Sequence, residues 1–303
     1  MRFGGHQTFS IREGWLYKGL RVLNEEPDAF GTDTLQDRLG VGKNMARAIH
    51  HWLIATGLAR PSGGGRGRRS DLEITELGEL VWHFDPYFLE PGTWWLVHAE
   101  LVNNRKDALS WNWFFNRFTA TRFERGVVIE GLRRFLQTQD GRTPTIRTLE
   151  RDVACLLKSY AEVIPREDHD PEDILECPLT RLGLLTFSRH SGFYHLNTDP
   201  KDVPFPVFGY VVSRAYTSSD DQDVVDISLT ELARRENGPG RLFALSTESL
   251  FEMLLRYQEG GEKRVTISSQ AGERVIRFEN QPGEDWLQEY LSSIQSEPIR
   301  AAS

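Results

Sequence analysis

Acidic residues are missing from one stretch of an otherwise acidic chain. Residues 38–69 hold seven Lys/Arg and no Asp or Glu, which leaves 29 of the 36 Lys/Arg to face all 44 Asp/Glu elsewhere. A face kept only for solubility mixes both signs, so this absence points to a polyanion-binding surface. Cysteine is scarce too. Cys155 and Cys177 are the only two, too few for a disulfide framework or a thiolate zinc site, and a reducing, cytoplasmic setting is expected. No apolar run approaches the length of a membrane span, and the opening MRFGGHQTFS lacks the apolar core of a secretory signal. Catalytic signatures are also absent. The chain has no GxSxG, no HExxH and no paired CxxC, and its GVGKN string lacks P-loop spacing and the Ser/Thr after Lys43. Serine-elbow acyl transfer, zinc-peptidase chemistry and P-loop nucleotide hydrolysis are therefore not expected.

What is present in the acid-free stretch is patterned. Read at about 100° per residue, residues 44–56 place Met45, Ile49, Trp52 and Leu53 on one face. Lys43, Asn44, Arg47, His50 and His51 gather on the other. A short helix over 34–40, capped by Thr32 or Asp33, precedes it, with Gly40-Val41-Gly42 as the corner between them. Strands are expected at 58–60 and 71–75 around the tip SGGGRGRRS. The sum is a helix–turn–helix followed by a wing, in which the second helix enters the major groove of double-stranded DNA. Helix–turn–helix shapes also serve as protein-interaction modules, and the missing acids favour DNA. Lys43, Asn44, Arg47 and His51 are the candidates for base or phosphate contact, and Arg66, Arg68 and Arg69 for phosphate clamps.

The chain length of 303 residues, with 39% hydrophobic content, suits several packed domains. Residues 1–90 form the first, a winged helix whose opening helix, over 13–24, gathers Trp15, Leu16, Leu20 and Leu23. A breaker at 85–93 follows a helix over 76–83. Residues 91–203 form an aromatic-rich helical domain. Its cluster of Trp94, Trp95, Trp111, Trp113, Phe114, Phe115 and Phe118 fits a buried core better than a platform for stacking bases. Helices over 123–138 and 146–163, then the turn-rich segments CPLTRLGLLTFS and GFYHLN, suggest a second winged-helix-like unit. Residues 204–303 form a helical domain with a β-hairpin at 263–279, a helix after Ser246 or Thr247, and a short helix ending at Gly238. The fold class is mainly α with small β elements.

Two places invite a chemical reading. Glu167-Asp168-His169-Asp170-Pro171-Glu172-Asp173 has side chains that can hold Mg²⁺ or Mn²⁺, though consecutive acids around a proline usually point apart, which favours a surface linker. His6, flanked by glycine, suits a general base or ligand, or equally an anchor for the N-terminus. His6, His169 and Asp170 are thus the candidates for catalysis.

The string Gly5-His6-Gln7-Thr8-Phe9-Ser10-Ile11-Arg12-Glu13-Gly14-Trp15-Leu16-Tyr17-Lys18-Gly19 closely resembles the opening of a bacterial family catalogued as a domain of unknown function. CPLTRLGLL at 177–185, with FYHLN after it, resembles that family's C-terminal half. Its SspB-type members lie in DNA phosphorothioation gene clusters beside cysteine desulfurase and PAPS-reductase-like genes. The resemblance implies a component that engages DNA and nicks one strand, with Mg²⁺ or Mn²⁺ as cofactor and sulfur-transfer and ATPase proteins as partners. No membrane is expected, and a homo-oligomer stays open. The resemblance carries over no catalytic residue. A non-catalytic DNA-targeting subunit or a winged-helix transcriptional regulator is the alternative.

Overall fold

The computed structural model describes residues 3–32, 34–62, 72–139, 143–164, 177–216, 224–270, 272–279 and 281–294. It contains two compact units, one of Met1–Phe114 with Phe118–Leu196, the other of Phe115–Arg117 with Asn197–Ser303.

The first unit opens on α1 (Trp15–Glu25), which buries Trp15, Leu16, Leu20 and Leu23 as their spacing requires. A 3-10 turn (Pro27–Gly31) leads to α2 (Leu35–Leu39) and α3 (Lys43–Ala55). Gly40 ends α2 with φ of 63°, the left-handed conformation that lets the chain turn at once into the next helix. Thr34, rather than Thr32, is the residue that precedes α2, and it makes no side-chain cap; Asp33 lies outside the described residues. Strands β1 (Ala59–Pro61) and β2 (Leu72–Ile74) pair antiparallel, and α4 (Glu76–Phe84) follows with Thr75 capping it through the Gly78 N–H. This is the helix–turn–helix and wing expected of the acid-free stretch.

The breaker after α4 is pinned by a side chain. Asp85 is buried, and its carboxylate accepts from the Leu89 and Glu90 N–H groups. Helices α5 (Pro91–Asn103) and α6 (Leu109–Arg117) come next. Trp94, Trp95, Trp111, Trp113, Phe114 and Phe115 are buried and Phe118 is half-buried, so the aromatic cluster is core rather than a stacking platform.

Strand β3 (Arg122–Phe123), α7 (Arg125–Gln137), α8 (Ile146–Tyr160), β4 (Ala161–Ile164), a 3-10 turn (Pro178–Leu182), β5 (Leu185–Ser188) and β6 (Tyr194–Leu196) complete the first unit. The sheet runs β3-β6-β5-β4, with β4 parallel to β5 and β5 antiparallel to β6. Ala161–Ile164 reads locally as the tail of α8. It becomes a strand because β5 lies alongside to take its hydrogen bonds.

The second unit runs α9 (Phe205–Tyr216), β7 (Val224–Ser228), α10 (Leu229–Arg234), α11 (Pro239–Leu242), α12 (Thr247–Glu259), β8 (Val265–Gln270), β9 (Glu273–Glu279) and α13 (Gly283–Ile294). The expected hairpin is β8–β9, and β7 joins it to give the antiparallel order β7-β9-β8. Gly238 does not end a helix. It precedes α11, where Pro239 supplies a first-turn φ already suited to a helix. Unlike the two-stranded wing β1–β2 of the first unit, this sheet has three strands with β9 at its centre.

Candidate nucleic-acid interface

Helix α3 divides into two faces. Ala46, Ala48, Ile49, Trp52 and Leu53 are buried, while Lys43, Asn44 and Arg47 are exposed and His50 is half-buried. Its first turn carries no acid and no side-chain cap, so the positive end of the helix dipole adds to the Lys43 and Arg47 charges.

The acid-free stretch is not wholly free of acids in three dimensions. Glu26 reaches Arg38 at 3.1 Å and Glu73 pairs with Arg60 across the wing strands. Among the described residues Lys43 and Arg47 have no carboxylate partner, and they form the exposed cationic core of the face. Arg66, Arg68 and Arg69 lie outside the described residues.

His51 departs from the helical pattern. Its angle on α3 matches that of Asn44, yet it is only 2% exposed. The N-terminal string covers it. A Cβ on Gly5 would stand 2.4 Å from His51 Nδ1, so only glycine permits this approach. His51 is therefore enclosed, and the exposed polar residues of this face reduce to Lys43, Asn44 and Arg47.

His6 lies in the same enclosure at 1% exposure. Its Nδ1 accepts from the Thr8 N–H at 3.0 Å, which puts the ring proton on Nε2, 2.9 Å from Asp152 Oδ1. Asp152, itself 3% exposed, also accepts from the Gly4 N–H and the Ser110 hydroxyl, each at 2.8 Å. Trp52 stacks near the imidazole and Trp111 meets it edge-on. Both ring nitrogens are thus engaged and enclosed, which is the geometry of an anchor and leaves no lone pair for a metal or a substrate proton. Asp152 was not among the candidates from sequence. Its signal is an acid within the buried stripe Leu149, Val153, Leu156, Leu157 of α8, a position that demands hydrogen-bond donors from elsewhere.

Neither thiol offers reactive sulfur. Burial pushes Cys155 well up and Cys177 up to about 12. His169 and Asp170 lie outside the described residues. Among the described residues no group of three or more His, Cys, Asp or Glu could hold a metal ion, and no helix is long and apolar enough to cross a membrane.

Comparison with known proteins gives these features a family. No curated protein matches the chain. Solved structures do, and two of them are similar over nearly the whole chain. One, described as magnesium-ion-bound SspB, is 26% identical with a TM-score of 0.83, and the match covers 98% of this chain and 90% of that one. The other, described as SspB, is 27% identical with a TM-score of 0.82 over the same shares of both chains. Residues 3–293 match the family described as "Protein of unknown function (DUF4007)". The chain therefore belongs to the DUF4007 family, the SspB-type family associated with DNA phosphorothioation gene clusters that its N-terminal string announces.

Proposed function

We infer that this protein is the DNA-engaging component of a bacterial DNA phosphorothioation system and that it nicks one strand of its target. The observation that carries the reading is the exposed Lys43, Asn44 and Arg47 face of a helix–turn–helix, with no carboxylate partner for either cation among the described residues. Arg47 and Asn44 supply the donors and acceptor that read base edges, and Lys43 neutralises phosphate. Arg66, Arg68 and Arg69 are assigned as wing contacts to the neighbouring backbone. Membership of the family supports sulfur-transfer and ATPase proteins as partners.

The magnesium ion bound to the similar SspB supports Mg²⁺, with Mn²⁺ as its substitute. When bound, a divalent ion stabilises charge on the attacking and leaving oxygens of a phosphodiester. The described residues do not present a donor set for one, so no residue is assigned as a ligand. What these residues do is bind the duplex and fix its register.

The test is incubation of the purified protein with supercoiled plasmid and Mg²⁺ or Mn²⁺, with EDTA as control. Open circles that form before any linear product, and only with metal, are expected. Plasmid bound and left intact with either metal would replace this reading by a DNA-targeting subunit or a winged-helix regulator.

A further inference from the structure

Gln7 and Thr8 have φ of 52° and 70°. Two successive non-glycine residues in the left-handed region are uncommon, and a β-branched threonine there is an outlier. Such a conformation persists only where the surroundings over-determine it. Here they do. The Gly4 N–H and His6 Nε2 are both tied to Asp152, the Thr8 N–H is tied to His6 Nδ1, and Gly5 lies against the His51 ring. The core interactions fall on the residues around the tip, while Thr8 itself is exposed and Gln7 partly so. The fold thus holds a strained turn in which one Gln7 amide N–H reaches back to the Gly4 carbonyl at a long 3.4 Å, leaving the other N–H out of that bond, while the Thr8 side chain is exposed.

The position of that turn gives it a use. His51 stands seven residues after Asn44 on α3, two helical turns on and at nearly the same angle, so the turn sits at the end of the stripe that begins with Asn44 and Arg47. The distance along that stripe is about 10 Å at 1.5 Å per residue. The major groove is about 12 Å wide. With Asn44 and Arg47 at the base edges, the end of the stripe meets the sugar–phosphate wall.

We propose that the Gln7–Thr8 turn is a backbone clamp, in which the Thr8 hydroxyl and the Gln7 amide donate hydrogen bonds to a DNA phosphate at the edge of the groove entered by α3. His6 and Asp152 are then positioning residues, acting through the turn. The proposal rests on the DNA-binding reading of α3.

Thr8→Asn and Thr8→Asp separate the clamp from a merely structural turn. Both replacements tolerate a left-handed φ, so both keep the thermal midpoint, and they differ by one charge. On a short fluorescein-labelled duplex at low salt, Thr8→Asn is expected to bind within about twofold of wild type, because an amide donor remains, and Thr8→Asp about tenfold more weakly. Gln7→Gly/Thr8→Gly keeps the backbone and removes both donors, and is expected to weaken binding about three- to tenfold. Equal affinities for the Asn and Asp variants, or wild-type affinity for the double glycine variant, would overturn the clamp. Arg47→Ala, measured in parallel, distinguishes the failures. Weakened binding there with indifferent turn variants removes the clamp alone, and indifference in all of them removes the α3 interface with it.

Discussion

Helices α3 and α12, one in each unit, have comparable places along the chain. Each is the last helix before an antiparallel hairpin. Their surfaces differ in sign. Helix α3 carries Lys43 and Arg47 and no acid, a formal +2, while α12 carries Glu248, Glu252 and Glu259 against Arg256, a formal −2. In α12 the arginine is already paired, Arg256 to Glu252, and beside it Arg274 of β9 lies 3.8 Å over the Phe251 ring while Arg277 is bound to Asp226. A phosphate approaching α12 would meet carboxylates first. A helix leading into a hairpin thus carries two different surfaces, and side-chain charge distinguishes them as faces for a polyanion.

The two modules are also secured differently, and the largest expected effect lies there. The N-terminal string is tied to α8 and α6 through Asp152 and Ser110, and to α3 by the Trp52 N–H that donates to the Phe9 carbonyl. Asp152→Ala strands two buried donors, His6 Nε2–H and the Ser110 hydroxyl, and the half-buried Gly4 N–H, and should lower stability by about 3 kcal/mol in urea unfolding. A loss below about 1 kcal/mol would mean the knot is dispensable and that the first winged helix stands without it.

Charge reversal tests the comparison directly. Lys43→Glu with Arg47→Glu should weaken duplex binding roughly a hundredfold and make the slope of log K against log salt shallower by about 2. Glu252→Lys on α12 should change affinity less than about twofold. If the two reversals had similar effects, the division of labour between the helices would collapse.

Smaller effects probe how the second unit is held. Arg264 binds Glu262 and Glu289 together and lies over the Trp286 and Phe205 rings. Arg264→Ala should cost about 1–2 kcal/mol by the same unfolding assay and leave DNA binding as it was. Lys201 gives the mildest signal. Burial holds its ammonium down at about 8 from an ordinary 10.5, with Asp199 pulling the other way. The unfolded chain therefore binds more protons between those values, so the cost of burying the cation is fully present below about pH 8 and fades as pH rises to 10.5. Lys201→Met should remove that rise in stability, seen as a flatter thermal midpoint across the same window.

Much of the scaffold could be read from local pattern. The apolar spacing of α1, α3 and α8, the caps Thr75 and Ser246 and the corner at Gly40 obey rules that operate within a few residues. Strands β4 and β7 escaped the reading because short segments take strand form only when a neighbour supplies the hydrogen bonds. The family string was visible as well, although what it does in the fold was not.

The chain's sequence by itself determined that one helix would carry cations and no acids on its outer face, because helical periodicity converts spacing into direction. Tertiary structure decided which of those residues meet solvent. Periodicity gives an angle about the helix axis and says nothing of what is laid against that angle. Gly5 and His6, more than forty residues upstream, cover His51, while Glu26 and Glu73 take Arg38 and Arg60 out of the free cations. Asp152, remote from His6 along the chain, turns a candidate base into an anchor, because a buried carboxylate must find its donors wherever the fold brings them.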